Sequence, residues 1–546
     1  MIDLNPKHFE IVQHILAKYV PGCEVRAFGS RVKWTAKDYS DLDLAVVGNK
    51  PLSFKQKGQL AEAFEESNLP IRVDVLDWHT TSEEFKKIIT EEYEVIQGSE
   101  TVTANEEFGT IPKNSSKKNR RWDVVKLGDV VQINPRRTLP KKENAFHVAM
   151  RDIEVYRREI NSYSYKEFRG SGTRFQNGDT LLARITPCLE NGKTVYVNCL
   201  KPNQIGHGST EFIVLSGIGG KTDNLFVYYL ARDPSLRTFA IHSMQGSTGR
   251  QRVDANSLGL FKFSLPPIEE QRRIAHILGT LDEKIELNQQ MNETLEATAR
   301  AIFKSWFVDF DPVKAKIEGC KPPCMDTETA ALFPSAFQNS VLGEIPKGWD
   351  VTTVDEDFNL TMGQSPPGST YNEDGEGMPF YQGRKDFGFR YPTRRVYCTA
   401  PKRFAEKGDT LVSVRAPVGD INMVKEKCSI GRGVAAIRHK SGSRSYTYYT
   451  MQSLQEIFSR YEAEGTVFGS INKTDFQTLS QLRPSNEIIE AFERLVDPLD
   501  QSIENNENES RTLAQTRDTL LPKLLSGEIR VDAAVEILEE NDGRKS

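Results

Sequence analysis

Three aspartates near the amino terminus have the spacing of a metal-dependent phosphoryl-transfer site. Asp41 and Asp43 flank one residue at the start of a predicted strand over Leu42–Val47, and period-two alternation places both carboxylates on one face. Asp74 lies midway along a later predicted strand within LPIRVDVLDW. Carboxylate oxygens are the ligands that Mg²⁺ prefers, and the ion can stabilise both the attacking and the leaving oxygen in nucleotidyl transfer.

The elements that must position these carboxylates are predicted within the first 100 residues. Residues 7–19 form an amphipathic helix, and Val25–Phe28 form a first strand. A tight turn at Gly29 and Ser30 follows, and it can offer a backbone N–H group and a hydroxyl to a triphosphate. Gly-Ser, a ten-residue gap, Asp-x-Asp and a further strand aspartate form a much more specific pattern than a lone Asp-x-Asp.

This segment resembles the minimal nucleotidyltransferases of the DNA polymerase beta superfamily, whose motif is Gly-Ser followed by Asp-x-Asp and a third Asp. The resemblance implies a small mixed α/β domain in which Asp41 and Asp43 ligate Mg²⁺. It also implies that Asp74 is catalytic and activates the attacking group. Gly29 and Ser30 would bind the nucleotide. The alternative is a degenerate or purely regulatory domain.

Length and composition favour a soluble protein of several domains. A chain of 546 residues predicts three or four domains, and 38% hydrophobic with 27% charged residues is typical of globular proteins. No apolar stretch approaches the ~18 residues of a membrane helix, and no signal-peptide pattern is present, so we expect a cytoplasmic protein with no membrane partner. Cys320-Lys-Pro-Pro-Cys324 lacks a second ligand pair, so reduced thiols are favoured over a zinc site.

The charge is distributed unevenly along the chain. Residues 1–100 carry 12 Lys and Arg against 17 Asp and Glu, and residues 485–546 carry 7 against 15. Residues 113–175 carry 16 basic and 7 acidic residues, beginning with the cluster Lys117, Lys118, Arg120 and Arg121. A positive centre between acidic ends favours a polyanion partner for the centre, although a solvated basic surface is the alternative.

A long helix follows the first mixed domain, where Pro266 and Pro267 can begin a helix and Glu269 and Glu270 suit its N-terminal dipole. Apolar residues recur at alternating steps of three and four, as in a coiled-coil seam. The seam comprises Ile274, Leu278, Leu281, Ile285, Leu295, Ala299 and Ile302, with Asn288 and Asn292 as polar positions.

The chain also contains an internal repeat. Trp-Asp-Val at 122 recurs at 349, Gly-Asp-Thr-Leu at 178 recurs at 408, and Ile-Gly-His-Gly at 205 recurs as Ile-Gly-Arg-Gly at 430. A second long helix aligns with the first at a constant shift of 218, which places Asn506 at the seam position of Asn288. Buried Asn at such positions specifies register, so we predict that this pair fixes the alignment of the helices.

Residues from about 120 to 530 resemble the specificity subunit of type I restriction–modification systems. The sequences GST at 246, SLPPIEEQRRIAHIL with the following LDEKIE, and LLPKLLSGEI near Gly527 carry the resemblance. It implies two target-recognition domains on double-stranded DNA and two long helices that pair as an antiparallel coiled-coil spacer. It also implies modification subunits, which bring S-adenosylmethionine and methylate adenine, and a restriction/translocase subunit. The specificity part itself would be non-catalytic.

The predicted fold class is α+β multidomain, with a nucleotidyltransferase-like domain before two repeated mixed α/β domains, each followed by a long helix. The predicted order is: nucleotidyltransferase-like domain 1–100, linker 101–121, target-recognition domain 122–267, spacer helix 268–310, linker 311–347, target-recognition domain 348–484, spacer helix 485–530 and acidic tail 531–546. A helix of ~37 residues spans about 55 Å, or roughly 16 base pairs.

Arg and aromatic residues interleave in the predicted recognition domains, and Arg can grip phosphates or read guanine edges. We predict DNA contacts at Arg157, Arg158, Arg169, Arg174, Arg384, Lys385, Arg394 and Arg395. The recognition domains differ strongly outside the repeat, so the two half-sites should differ. Two alternatives remain: a Mg²⁺-dependent nucleotidyltransferase that DNA binding only targets, and a structural coiled-coil scaffold without sequence-selective DNA binding.

Overall fold

The computed structural model describes residues 4, 6–29, 31–32, 41–48, 52, 56, 60, 63–64, 67, 69, 71, 73–81, 86, 89–90, 93–97, 122–155, 157–247, 249–322, 325–463 and 469–535. The chain divides into two compact units, Met1–Lys117 and Lys118–Ser546. Several predicted features lie outside the described residues. They are Ser30, the linker 101–121 with its basic cluster, Cys324, and residues 536–546 of the predicted acidic tail.

In the described part of the amino-terminal unit, a helix over Pro6–Tyr19 packs on a four-stranded sheet of order β3-β2-β1-β4. Strands β1 and β2 are antiparallel, whereas β2 and β3 run parallel. The core lies between the helix and the sheet and includes Val12, Leu16, Val25 and Leu44. The helix and first three strands form where the sequence predicts them. Their bounds are α1 Pro6–Tyr19, β1 Glu24–Phe28, β2 Leu42–Val47, β3 Val73–Asp77 and β4 Glu94–Gln97.

The first mixed domain contains two four-stranded sheets, of orders β11-β10-β13-β6 and β8-β7-β12-β9. Its strands are β5 Asp123–Lys126, β6 Val131–Ile133, β7 Asn144–Val148, β8 Ser164–Glu167, β9 Thr173–Phe175, β10 Thr180–Ala183, β11 Thr194–Tyr196, β12 Gly206–Gly208, β13 Phe212–Gly217, β14 Met244–Gln245, β15 Arg252–Val253 and β16 Lys262–Leu265. Its helices are α2 Leu127–Val130, α3 Asn224–Arg232, α4 Pro234–His242 and α5 Ala255–Leu258.

The first long helix, α6, spans Ile268–Phe307 and begins directly after Pro267, with Glu269 and Glu270 in its first turn. Gln271 is fully buried and its side chain donates to the carbonyl oxygens of Lys221 and Pro266 at 2.9 and 2.8 Å. These bonds tie the start of the helix to the domain that precedes it.

The second mixed domain repeats the strand order of the first, because β20-β28-β25-β26 corresponds to β6-β13-β10-β11. Its strands are β17 Phe337–Ser340, β18 Gly343–Pro346, β19 Asp350–Thr353, β20 Phe358–Met362, β21 Tyr371–Asn372, β22 Met378–Tyr381, β23 Tyr397–Cys398, β24 Phe404–Ala405, β25 Thr410–Val414, β26 Val418–Met423, β27 Cys428–Ile430, β28 Val434–His439 and β29 Ser480–Arg483. Its helices are α7 Asp311–Ile317, α8 Thr327–Leu332, α9 Val354–Asp357, α10 Arg444–Ser453, α11 Gln455–Ala463 and α12 Lys473–Gln477.

The recurring Gly-Asp-Thr-Leu sequence forms the same turn in both domains. Gly178 and Gly408 have φ angles of +89° and +85°, which favour glycine. The carboxylate of Asp179 accepts the N–H of Gln176 at 2.8 Å, and that of Asp409 accepts the N–H of Glu406 at 2.7 Å. The Thr-Leu that follows begins a fully buried strand in each case.

The second long helix, α13, spans Asn486–Ser526 and packs along α6. Asp282 of α6 contacts Arg517, near the far end of α13, whereas Phe303 lies 5.7 Å from Phe492, near its start. Contact positions therefore fall along one helix as they rise along the other, so the two helices run antiparallel.

Each long helix begins in one mixed domain and ends in the core of the other. Ala299, Phe303, Trp306 and Phe307 of α6 are buried with the second domain. Conversely, the end of α13 is buried with the first domain through Leu520, Leu521, Leu524 and Leu525. The two mixed domains consequently lie at opposite ends of the helix pair and share its helices in their cores.

Two predicted boundaries differ from the structure. Residues 311–347 are not a bare linker, because they form α7, α8, β17 and β18 and bury Val313 and Phe333 in the second domain. The predicted acidic tail also begins as packed structure, with Val531 and Ala534 buried in the first domain. The Pro and Gly content of residues 311–347 and the acidic content of the tail conceal a few apolar residues that pack into these cores.

Across the part of the chain that the structure describes, no helix combines the length and the apolar character needed to cross a membrane.

The shared core predicts a long-range effect of a single substitution. Leu524→Ala should destabilise the first mixed domain by about 2–5 kcal/mol, because a fully buried leucine is lost from its core. Hydrogen exchange should rise in the peptide Asn224–Arg232. The matched Leu495→Ala variant, whose side chain is 45% exposed on the same helix, should leave that peptide unchanged. Faster exchange confined to the second domain would contradict this assignment.

Candidate functional site

The amino-terminal carboxylates lie close to the beginning of the neighbouring strands β2 and β3. Parallel pairing sets Asp43 of β2 directly beside Asp74 of β3, and Asp41 lies exposed just before β2. Gly29 follows β1 with a φ of +82°, and a Cβ there would lie 2.4 Å from Asp43 Oδ2. Only glycine fits at this point, which explains the glycine of the Gly-Ser pair.

Burial and the negative charges of Asp74 and Asp41 raise the pKa of Asp43 to about 6. Such mutual repulsion is relieved by a cation. No group of three or more metal-ligating side chains occurs among the described residues. Mg²⁺ is commonly held by one or two carboxylates together with substrate phosphates, so Asp41 and Asp43 fit that ion with the remaining positions supplied by a nucleotide and water.

The first mixed domain is joined to the helix pair by a buried polar network at Asp282 of α6. The Tyr229 hydroxyl of α3 donates to Asp282 Oδ2 at 2.8 Å. Arg517, from α13, donates to the other carboxylate oxygen, and Arg232 of α3 lies 3.8 Å from the carboxylate. One carboxylate thus joins the domain to both helices.

The second mixed domain has a corresponding network at Asp500 of α13. Arg390 is fully buried and donates to Asp500 Oδ1 at 2.6 Å and to the Tyr449 hydroxyl at 2.8 Å. It also lies 3.4 Å from Glu296 of α6 and 4.0 Å from the centre of the Tyr448 ring. Here the arginine comes from the mixed domain and not from the opposite helix.

The two predicted register residues lie together near the middle of the helix pair. Asn288 Nδ2 donates to Glu509 Oε2 at 2.8 Å and to Ser510 Oγ at 3.3 Å. Asn506 Nδ2 donates to Asn292 Oδ1 at 2.9 Å. A shift of one helix along the other would separate the buried Asn288 and the half-buried Asn506 from these partners, as the predicted register role requires.

Of the predicted DNA-contacting residues in the first domain, two turn towards the long helix. Arg158 is buried and its Nη2 lies 2.9 Å from Glu286 Oε2, while Arg157 Nη2 lies 3.3 Å from Glu293 Oε1. These ion pairs remove Arg158, and largely remove Arg157, from the side chains that we expect to reach DNA. A sequence in which arginines alternate with aromatic residues does not show which arginines pack against a helix and which bind DNA.

Arg169 and Arg174 line adjacent open clefts of the first domain. Arg169 is exposed. Arg174 is half-buried, donates to the carbonyl oxygen of Arg137 at 2.6 Å and lies 5.6 Å from the ring centre of Phe168. The structure therefore leaves Arg169 the freer of the two to meet a ligand.

The predicted DNA-contacting residues of the second domain all lie at or near its surface. Lys385 is exposed, and Arg384 is exposed although its Nε lies 2.9 Å from Asp420. Arg394 is paired with Glu426. Arg395 lies 2.9 Å from the buried Asp386, which also accepts the N–H of Gln382.

Sequence reasoning missed several exposed cations, namely Arg136, Lys166, Arg403, Arg415 and Arg432. Two of them follow a recognisable signal, because Arg432 lies within the recurring Ile-Gly-x-Gly sequence and Arg415 follows the strand of the recurring Gly-Asp-Thr-Leu turn.

Two families match separate parts of the chain. Residues 119–297 match the family described as type I restriction modification DNA specificity domain. Residues 10–101 match the family described as polymerase beta, nucleotidyltransferase.

Three relatives illustrate the same division. The type I restriction enzyme MjaX specificity subunit of Methanocaldococcus jannaschii is 28% identical over 439 residues, covering 78% of this chain and 96% of that protein. The type I restriction enzyme HindI specificity subunit of Haemophilus influenzae is 26% identical over 480 residues, covering 77% and 98%. MntA of Haemophilus influenzae is named as a protein adenylyltransferase. It is 54% identical over 99 residues, covering 18% of this chain and 87% of that protein.

A half-buried glutamate at the domain–helix contact predicts a pH dependence of stability. Glu507 of α13 accepts the backbone N–H of Arg390 at 2.8 Å, and burial raises its pKa to about 7 against the opposing effects of that bond and nearby cations. The folded state then binds a proton more tightly than the unfolded state. The contribution of Glu507 to stability should therefore be fully present below pH 4.5 and fall by roughly 2–3 kcal/mol as the pH rises to about 7.

Glu507→Gln should flatten this part of the stability profile and exceed the wild type in unfolding free energy at pH 8. Denaturant unfolding between pH 4.5 and 8 checks the prediction. The control Glu490→Gln, at an exposed position on the same helix, should run parallel to the wild type. A Glu507→Gln profile parallel to the wild type would contradict the assignment.

Proposed function

We propose that residues 122–530 read a bipartite, asymmetric DNA site. The chain joins a polymerase-beta-type nucleotidyltransferase domain to a type I restriction–modification specificity subunit. Each mixed domain contacts one half-site, and the long helices are the antiparallel coiled-coil spacer between them. The helix pair carries the proposal, because it holds two domains of matching strand order at its opposite ends. Differences between the surface side chains of the domains account for unequal half-sites.

The specificity part performs no chemistry in this proposal and depends on partners. Modification subunits bring S-adenosylmethionine and methylate adenine, and a restriction/translocase subunit adds cleavage. The relatives named as restriction-enzyme specificity subunits support this class of assembly. The exposed arginines and lysines of the two mixed domains are suited to phosphate oxygens of double-stranded DNA.

Selection of random duplexes by the assembled complex tests the proposal. The selected pool should contain two different short motifs separated by a constant number of unspecified base pairs. A pool without a motif, with binding that depends only on salt, would support a structural scaffold and would overturn the proposal.

The amides at the centre of the helix pair predict a change in spacing. Asn288→Leu with Asn506→Leu should broaden the distribution of gap lengths in the selected pool without changing either motif, because the polar contacts that specify register are lost. Gln290→Leu with Gln515→Leu, at exposed positions on the same helices, is the matched control. An equally narrow distribution in both double variants would contradict the register role.

We infer a second activity for the amino-terminal domain, transfer of AMP from ATP to a protein acceptor. An acceptor hydroxyl would attack the α-phosphorus of ATP, the α–β phosphoanhydride bond would break, and pyrophosphate would leave. The convergence of Asp43 with Asp74 beside Gly29 favours it, as does the similarity to a relative named for protein adenylylation. Asp41 and Asp43 would hold Mg²⁺, Asp74 would activate the acceptor hydroxyl, and Gly29 with Ser30 would contact the nucleotide phosphates. When bound, Mg²⁺ would neutralise charge on the phosphates.

Incubation of the full chain and candidate acceptors with ATP labelled on the α-phosphate and Mg²⁺ tests this activity. Label should appear on protein with the wild type and disappear with EDTA or with Asp41→Ala/Asp43→Ala, while DNA selection by the double variant stays unchanged. No transfer by the wild type, or equal transfer by the double variant, would mean that the domain is regulatory and non-catalytic.

A further inference from the structure

The first mixed domain has an open cleft of about 520 Å³ between β7, β8 and β12. It is lined by two histidines, His147 and His207, and by the exposed cations Lys166 and Arg169. We call it the histidine cleft. None of the residues that line it takes part in the contacts with the long helices described above, so the cleft belongs to the outward surface of the domain.

Two glycines in the lining keep side chains out of the cleft. Gly172 has a φ of +106°, and a Cβ there would lie 2.4 Å from the carbonyl oxygen of Gly208. A Cβ on Gly208 would lie 2.7 Å from the carbonyl oxygen of Val148. A larger residue would displace backbone at either position, so both positions require glycine. Glycine is typical of sites where a ligand closely approaches the backbone.

The cations beside the cleft are exposed at the surface of the domain. Lys166, Arg169 and the nearby Arg136 are exposed, and in the range 122–155, 157–247 that the structure describes for this domain their side chains form no ion pair. A neighbouring cleft shares Gly172 and extends the basic surface through Arg136 and Arg174. Unpaired cations along two adjoining clefts are suited to successive phosphates of one strand.

The histidines offer a different kind of contact. His207 is buried, and its Nε2 lies 3.1 Å from the carbonyl oxygen of Lys166, so Nε2 donates and Nδ1 remains an acceptor. The half-buried His147 packs against it with ring centres 4.9 Å apart. Burial and the charge of Lys166 lower the pKa of both imidazoles, so both are neutral at pH 7. A neutral imidazole has one donor and one acceptor, which suits a base edge better than a phosphate.

The second mixed domain displays different chemistry at the related sequence. Gly433 is constrained as Gly208 is, since a Cβ there would lie 2.3 Å from the carbonyl oxygen of Gln382. Between Gly431 and Gly433 the chain carries the exposed Arg432 in place of His207. The constrained glycine backbone therefore recurs in both domains, while the side chain between the glycines changes from histidine to arginine. Such a change is expected if the two domains read different bases.

We infer that the histidine cleft is where the first mixed domain reads its half-site. His147 contacts a base edge in the major groove, His207 positions the His147 ring, and Lys166 with Arg169 holds the flanking phosphates. This inference rests on the proposed DNA-recognition function and assigns residues to it.

Selection of random duplexes by the complex assembled with its modification subunits separates these roles. His147→Ala should lower the preference at one or two adjacent positions of a single half-site by about tenfold or more, with the other half-site unchanged. Lys166→Ala/Arg169→Ala should weaken binding to all sequences alike and reduce the slope of log affinity against log salt by about 2. The controls are His242→Ala and Lys201→Ala, at exposed positions outside the cleft lining.

His207→Ala should lower the base preference at the same positions of the half-site as His147→Ala. His207→Gln should restore part of that preference, because the glutamine amide can donate to the Lys166 carbonyl oxygen. A folded His147→Ala complex with an unchanged motif overturns the reading role, and an unchanged salt slope in the lysine–arginine variant overturns the phosphate contacts. If the wild type itself selects no split motif, the proposed function fails; if it does and the cleft variants match it, only this inference fails.

Discussion

The antiparallel packing of the two long helices is the constraint on which the rest of the second unit depends. Each helix leaves its own mixed domain and ends in the core of the other, so neither core is complete without the end of a helix that begins in the other domain. Phe303 of the first helix and Phe492 of the second meet in one core, whereas Leu524 returns to the other. The distance between the domains is therefore fixed by helix length, at about 1.5 Å per residue.

Buried ion pairs add geometric precision to this packing. Asp282 and Asp500 occupy equivalent positions of the two helices, and each receives a tyrosine hydroxyl from the domain packed against it. A buried pair adds little net stability, because desolvation offsets attraction, but removing one partner typically costs about 3–5 kcal/mol. Arg390 and Arg517 thus make other docking angles unfavourable, and two recognition surfaces held at fixed angles and a fixed distance can read one split site.

Much of this architecture was predictable from periodicity and repetition. Apolar residues at alternating steps of three and four predicted the first long helix. The recurrence of Gly-Asp-Thr-Leu predicted two related domains, and in the structure it forms the same turn at Gly178 and Gly408. The roles of individual arginines were not predictable, because Arg158 and Arg169 lie in similar local sequence while only Arg158 meets a glutamate 128 residues away. Likewise the Pro- and Gly-rich segment 311–347 reads as a linker, since its few buried apolar residues show no period and their packing partners, such as Trp306 for Phe333, lie outside the segment.

Methylome sequencing of a host that carries this chain with its modification partner tests the central claim most directly. The account predicts methylated adenines within a split motif, with two different half-sites and one constant gap between them. That gap should correspond to the separation that the helix pair imposes on the two mixed domains. Methylation at a single continuous motif, or a gap that varies freely between sites, would contradict the account.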